Sequence, residues 1–115
     1  MSLRQEQSLF AKDIVRLLNW AMAKGYDVTF GEAQRTIEQQ AIHVRNKRSK
    51  TMNSYHIKKL AFDIFFFSPS GQFLTTKKDM QSIGDYWESL SPMNSWGGNW
   101  SSFKDVPHFE RRYKG

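Results

Sequence analysis

The stretch Asn53–Phe67 reads NSYHIKKLAFDIFFF, and its second half is the strongest strand signal in the chain. Aromatic and aliphatic residues follow one another there almost without interruption, which is typical of a strand that is buried on both faces. Asp63 lies in the middle of this run. A buried carboxylate without a cation costs several kcal/mol. We therefore expect a cation beside Asp63, either an Arg or Lys side chain or a metal ion.

Helical periodicity occurs on both sides of this strand. A first helix is predicted over Glu6–Lys24, with Gly25 as its natural end. The composition of Arg35–Lys47 is also helical. A third helix is predicted over Lys77–Pro92, with an apolar stripe of Met80, Ile83, Trp87 and Leu90. The basic segment Arg45–Ser54 is predicted to be a loop.

Further strands are predicted around the central one. Alternation in Tyr26–Ala33 indicates a strand, and the turn Ser68–Gly71 precedes a possible returning strand at Gln72–Thr75. The last strand is predicted within Asp105–Tyr113, and Pro107 favours an extended conformation at Val106. Helices and strands are interspersed, which predicts an α+β fold with a mostly antiparallel sheet and flanking helices in one domain, residues 1–115.

The composition limits the chemistry that is available. The 115 residues include no cysteine and three histidines, so a metal site must use His, Asp or Glu. The formal net charge of +6 suits an anionic partner such as nucleic acid, an anionic membrane or a cell-wall polymer. The sequence shows no stretch of membrane-spanning length and no signal-peptide core.

Two histidines and Asp63 could form a metal site. His56 precedes the central strand and His108 lies on the predicted last strand. Two His and one Asp with a further position open to water fit a catalytic zinc site. Spacing alone supports this weakly, because His56 could be a surface histidine of a loop and His108 a core histidine bonded to a carbonyl.

Two motifs carry a resemblance to a known family. SYHIKKLAFD, residues 54–63, resembles the S-x-H-x(6)-D signature of the D-Ala-D-Ala carboxypeptidase-like zinc peptidases, and WGGNWSSFKDVPHFE, residues 96–110, resembles their W-G-G and D/E-x-x-H signature. The segments GEAQRTIEQQ, residues 31–40, and GDYWESLSP, residues 84–92, are also similar. The pattern resembles above all the phage endolysins and bacterial autolysins that are L-alanyl-D-glutamate endopeptidases. The resemblance implies a hedgehog/DD-peptidase-like fold. Many relatives carry Gly where this chain has Lys59, which puts only the local loop shape in doubt.

The resemblance implies a role for each residue of the metal site. It implies that His56, Asp63 and His108 bind Zn²⁺ and that Asp105 is the general base. By residue type alone, Asp105 could instead form a turn before the strand. Glu110 is the rival base, and we assign it a supporting or substrate-binding role.

The remaining roles concern substrate binding and support of the site. Arg35 matches the family's arginine that faces the substrate, although it could be a solvated charge. Ser54 is expected to orient the zinc loop or to cap a turn. Trp96 is expected to line the cleft beside Gly97 and Gly98, with core packing as the alternative. His43 is not expected to be a ligand.

These observations predict a zinc-dependent peptidoglycan hydrolase. The expected substrate is the stem peptide, cleaved at the L-Ala–D-Glu bond, with D-Ala-D-Ala carboxypeptidase activity as the alternative. A basic module that binds nucleic acid or cell wall without catalysis is a further alternative, although no nucleic-acid partner is expected. A family member that binds zinc without cutting is disfavoured because all the motif residues are present. We expect a monomer that is made without a signal peptide and acts on the wall after release, as a phage or prophage lysin does.

Overall fold

Two helices and four strands follow one another in the parts of the chain that the structure describes. The computed structural model describes residues 2–31 and 58–113. The elements are α1 (Leu3–Ala23), β1 (Asp27–Phe30), β2 (Ala61–Phe67), α2 (Lys77–Ser89), β3 (Asn94–Trp96), a 3₁₀ turn (Gly97–Asn99) and β4 (His108–Arg111). The predicted α+β class is confirmed. The helix predicted over Arg35–Lys47 and the loop predicted over Arg45–Ser54 lie outside the described residues.

The limits of both helices follow from their capping residues. Helix α1 begins earlier than its apolar stripe predicts, because Ser2 and Gln5 form a reciprocal capping box. Gly25 follows the C-cap of α1 with a φ of 90°, a conformation that glycine adopts without strain. Thr76 caps α2 by accepting a hydrogen bond from the backbone N–H of Asp79. Within residues 2–31 and 58–113, neither helix has the length and apolar character needed to span a bilayer.

The sheet is antiparallel throughout, with strand order β1-β2-β4-β3. The predicted returning strand at Gln72–Thr75 is wrong. Only Phe73 forms a bridge there, with Phe67. Most of β2 is already paired, with β1 along residues 64–67 on one edge and with β4 along residues 61–63 on the other, so the returning segment meets only the end of β2. The last strand is also shorter than predicted, because Asp105–Pro107 forms a turn ahead of it.

The two faces of the sheet have different characters. On one face, Ile64 and Phe66 of β2 and Phe109 of β4 are fully buried against both helices. The helices supply most of the rest of this core: Phe10, Ile14, Leu17 and Ala21 of α1, and Met80, Ile83 and Trp87 of α2. Because side chains alternate along a strand, Asp63, His108 and Glu110 lie on the opposite face. Asp63, His108 and Glu110 are therefore gathered on the face that does not build the core, whereas Arg111 of β4 lies on the face toward α1.

Polar contacts attach α1 to the edge of the core. Arg111 of β4 is buried and pairs with Glu6, while Asn94 of β3 donates to Asp13 over 3.1 Å. Glu6 and Asp13 are seven residues apart, which places them two turns apart on one face of the helix. Arg111 and Asn94 are direct cross-strand partners. These two contacts fix the position of α1 relative to β3 and β4.

Candidate metal centre

Asp63 and His108 face each other across the two central strands of the sheet. They are paired in the antiparallel register of β2 and β4, so their side chains leave the same face at close range. The Nδ1 atom of His108 lies 3.4 Å from Oδ1 of Asp63. The His108 side chain is 7% exposed and the Asp63 side chain is 18% exposed, so the pair is largely shielded from water. Among the described residues, His108 therefore places an imidazole beside Asp63, where a cation is expected.

Asp105 joins this pair from the turn before β4. The backbone N–H of His108 donates to the Asp105 carbonyl over 3.0 Å, which closes the D-x-x-H segment into a turn. This turn brings Oδ2 of Asp105 to 3.9 Å from Nδ1 of His108. The Asp105 side chain is 44% exposed, so it is the member of the group that faces water.

Gly97 explains how the turn comes so close to the W-G-G segment. The Asp105 N–H donates to the Gly97 carbonyl over 3.1 Å. A Cβ atom on Gly97 would lie 2.1 Å from the Asp105 carbonyl oxygen, a distance at which the backbone would have to move. Only glycine permits this approach, and the approach fixes the backbone from which the Asp105 carboxylate projects.

Trp96 contacts the same turn from the core and does not line the cleft. Its side chain is fully buried, so the prediction that it contacts substrate is corrected in favour of core packing. A Cβ on Gly84 or Gly98 would overlap the Trp96 ring, which shows how tightly the two glycines enclose it. The indole Nε1–H donates to the Val106 carbonyl over 2.7 Å. A core aromatic thus holds the loop between Asp105 and His108.

Glu110 contacts the other nitrogen of His108. Its Oε1 lies 2.7 Å from Nε2, and its side chain is 6% exposed. Within β4 it follows His108 by two residues, so both side chains leave the same face, and it lies opposite Ala61, whose small side chain leaves room for the carboxylate. Because Glu110 takes Nε2, Nδ1 is the atom of His108 that faces Asp63 and Asp105. Glu110 is therefore placed to orient the imidazole and lies away from the Asp105 side of the ring.

The electrostatics of the site favour a positive charge. Burial lowers the pKa of His108, but hydrogen bonds to Asp63 and Glu110 and the negative charges of both carboxylates outweigh it and raise the pKa from 6.5 to about 9. Three carboxylates thus surround one imidazole in a partly desolvated position. Such a set of groups is suited to hold a cation.

The donor atoms fit a divalent metal. One ligand atom each from Asp63, Asp105 and His108 can be chosen so that all lie within 4.8 Å of one another. Carboxylate oxygen and imidazole nitrogen are ordinary zinc ligands, and the hydrogen bond from the far ring nitrogen to a carboxylate is the usual support of a metal-binding histidine. The predicted residues Arg35, Ser54 and His56, as well as His43, lie outside the described residues.

Trp100 is a further residue beside His108, and the sequence motifs do not mark it. Its ring centroid lies 5.0 Å from that of His108 at an interplanar angle of 57°. Its indole Nε1–H donates to Ser95 Oγ over 3.0 Å. A second tryptophan four residues after Trp96 was the only available signal, and the spacing did not reveal that the two rings point to different sides of the sheet.

The chain is similar in sequence and in fold to known peptidases. A family model described as D-alanyl-D-alanine carboxypeptidase matches residues 47–111. The chain is 36% identical over 102 residues to an L-alanyl-D-glutamate peptidase of Listeria phage A118, covering 87% of this chain and 36% of that protein. It therefore spans about a third of that relative's length. The crystal structure of the Serratia marcescens L-Ala D-Glu endopeptidase ChiX superposes with a TM-score of 0.69 at 25% identity, covering 88% of this chain and 79% of the other. The peptidase fold that the motifs implied is confirmed.

Proposed function

The chain belongs to the D-alanyl-D-alanine carboxypeptidase family of metallopeptidases, and from this premise we propose that it is a zinc-dependent hydrolase of the peptidoglycan stem peptide. The observation that carries the proposal is the cluster of Asp63, Asp105 and His108 on one face of the sheet. Such a cluster is suited to bind a metal and leaves a carboxylate exposed to water beside it.

We assign the zinc to His56, Asp63 and His108. Asp63 and His108 are the two sheltered members of the cluster, and the motif adds His56 as the third ligand. Asp105 could itself be a ligand, because its carboxylate lies within the same cluster. Its greater exposure and its position at the D of D-x-x-H favour the role of general base.

Each residue then has a separate task in peptide hydrolysis. His56, Asp63 and His108 would hold the zinc, which when bound would supply Lewis acidity toward the scissile carbonyl and the attacking water. Asp105 accepts the proton of that water and returns it to the leaving amine. Glu110 holds the imidazole of His108 so that Nδ1 points toward the acids. Arg35 is assigned to the carbonyl or carboxylate of the substrate, for which a planar guanidinium is suited.

The bond that we propose for cleavage is L-Ala–D-Glu. The support is that the phage relative is an L-alanyl-D-glutamate peptidase and that the Serratia protein is an L-Ala D-Glu endopeptidase. The net charge of +6 would favour adsorption to an anionic wall. The similarity to a phage enzyme supports action on the wall as a lysin does.

Digestion of purified sacculi tests the choice of bond. New N-terminal D-Glu, identified by mass spectrometry of the released peptides, is the expected product. Free D-Ala without new D-Glu termini would replace the endopeptidase proposal by the carboxypeptidase alternative. Release of neither product, together with salt-dependent binding of metal-free protein to DNA, would favour the basic binding module.

A pair of variants separates the zinc ligand from the base. Asp105→Asn should keep zinc and lose about 10²–10⁴-fold in turnover, because the amide cannot accept the proton. His56→Ala should lose zinc as well as turnover. Zinc content by elemental analysis and hydrolysis of sacculi are the two measurements. Loss of zinc in Asp105→Asn would make Asp105 a ligand, and full zinc occupancy in His56→Ala would remove His56 from the site.

A further inference from the structure

Arg112 lies behind Glu110, on the side away from the metal site. Its Nε is 3.3 Å from Glu110 Oε2, while Oε1 of the same carboxylate meets His108 Nε2. His108, Glu110 and Arg112 thus form a chain of polar contacts, each two residues beyond the last.

Arg112 reaches a second support of the same imidazole. Its Nη2 donates to Ser95 Oγ over 3.3 Å. Ser95 Oγ in turn accepts the indole N–H of Trp100, whose ring packs against His108. One guanidinium therefore contacts the carboxylate that holds the edge of the His108 ring and the hydroxyl that holds the aromatic ring against its face.

We propose that Arg112 is a positioning residue that fixes the orientation of the His108 ring through Glu110 on its edge and through Ser95 and Trp100 on its face. The inference rests on the proposed function, because it takes His108 as a zinc ligand. The fork of a guanidinium is suited to hold two acceptors at once. The side chain is 53% exposed, so its removal leaves no cavity in the core. The backbone N–H of Arg112 still donates to the Met93 carbonyl, which keeps the end of β4 in place.

The direction of the change in zinc affinity distinguishes a positioning role of Arg112 from an effect of its charge alone. Arg112 carries a positive charge close to the proposed zinc site, so its removal by charge alone would tighten zinc binding. Loss of a positioning contact would weaken zinc binding, because Glu110 and the His108 ring gain alternative orientations. Outer contacts that bond a ligand directly change metal affinity by about 10- to 100-fold. For Arg112, one contact further out, we expect a weakening of about 3- to 10-fold.

Arg16 provides a matched control. It pairs with the buried carboxylate of Asp13 over 2.8 Å, and its side chain is 57% exposed. Arg112 pairs with the buried Glu110 and is 53% exposed. Arg112→Gln and Arg16→Gln therefore remove the same charge and the same kind of ion pair, at the proposed site and away from it. The experiment measures the zinc dissociation constant by competition with a chelator for the unaltered protein and both variants.

A spectroscopic readout accompanies the affinities. In the zinc-loaded protein, the Nε2–H proton of His108 should give a sharp NMR signal that exchanges slowly with water, because Glu110 holds it. Arg112→Gln should broaden this signal or speed its exchange, and Arg16→Gln should leave it unchanged. In a Glu110→Gln background, Arg112→Gln should weaken zinc binding by less than twofold, because the carboxylate through which Arg112 mainly acts on His108 is already removed.

The possible results separate this inference from the proposed function. Weaker zinc binding and an altered His108 signal in Arg112→Gln alone support the positioning role. Equal or tighter zinc binding in Arg112→Gln, compared with Arg16→Gln, overturns it while the zinc site itself stands. Absence of zinc binding by the unaltered protein would instead refute the proposed function.

Discussion

At the scale of single residues, Lys59 occupies a backbone position suited to glycine. Its φ is 58°, in the left-handed region. The motif resemblance implies a Gly at this position. An L residue in this conformation costs about 1–2 kcal/mol. The chain therefore keeps the backbone shape ahead of β2 that a glycine would adopt, and does so with a lysine under strain.

We expect Lys59→Gly to stabilise the protein. The relief of strain outweighs the additional entropy that glycine gives the unfolded chain, for a net gain of up to about 1 kcal/mol. Urea unfolding measures the change. The neighbouring Lys58, which does not have a positive φ, is the control, and Lys58→Gly should destabilise. A loss of stability in Lys59→Gly would show that the lysine side chain contributes more than its backbone strain costs.

Trp96 offers a second prediction at this scale. Trp96→Phe removes the hydrogen bond to Val106, whereas Trp87→Phe removes the bonds from Trp87 Nε1 to the Ser95 and Glu110 carbonyls. Both tryptophans are fully buried. Each substitution should cost about 1–3 kcal/mol of unfolding free energy. Trp96→Phe should reduce kcat more than Trp87→Phe does, because it alone loosens the turn that carries Asp105. An equal fall of kcat in both variants would argue against this role of Trp96.

Residue types in the sequence pointed to part of this site. Asp63 stood out because it interrupts an apolar strand, and the D-x-x-H spacing marked Asp105 and His108. The contacts of Arg112 and Trp100 could not be foreseen, because they depend on how β3 and β4 are aligned. The position of Trp96 depended on the alternation along β3, a strand of three residues that is too short to show a period.

At the scale of elements, α1 is joined to β4 by a buried ion pair. The side chains of Glu6 and Arg111 are 12% and 7% exposed. Arg111 also donates to Ser91 Oγ over 3.1 Å, so the guanidinium is held on two sides. Removal of one partner from a buried pair leaves an uncompensated charge, which is costly.

We expect Arg111→Met to destabilise the protein by about 3–5 kcal/mol. The double variant Glu6→Leu with Arg111→Met should recover most of that loss, because no buried charge remains. Denaturant unfolding of the two single variants and the double variant gives the coupling free energy between Glu6 and Arg111. Strict additivity would mean that the two side chains do not stabilise each other.

The elements themselves were largely predictable, whereas their junctions were not. The apolar stripes of α1 and α2 and the run in β2 follow from periodicity alone. The segment Gln72–Thr75 has strand composition, but it meets only the end of β2, because β1 and β4 pair with the rest of that strand. The buried partners of Glu6 and Asp13 could not be predicted, because a polar residue on a helix does not show in the sequence which strand it meets.

At the scale of the whole molecule, two of the proposed zinc ligands, Asp63 and His108, are far apart in the chain and meet only in the folded protein. Asp63 comes from β2 and His108 from β4, and the two strands pair directly. A metal that binds this arrangement and not the unfolded chain stabilises the fold by mass action.

Zinc should therefore raise the unfolding temperature. With free zinc at about 100 times its dissociation constant, the gain is about 2.7 kcal/mol, which corresponds to about 10 °C for a chain of this size. Differential scanning calorimetry with zinc and with chelator measures the shift. His56→Ala should show little shift and serves as the control. An identical unfolding temperature in zinc and in chelator would contradict a zinc site between the strands.

The inner position of β4 has a consequence for the order of assembly. Among the described strands β4 comes last in sequence, yet it lies between β2 and β3. Strand β3 cannot join the sheet until β4 has docked, and that docking must first close a long loop, which is slow. The same event brings His108 to Asp63. A chain in which β4 has not yet docked would lack His108 beside Asp63, so the proposed zinc site would be complete only after β4 pairs with β2.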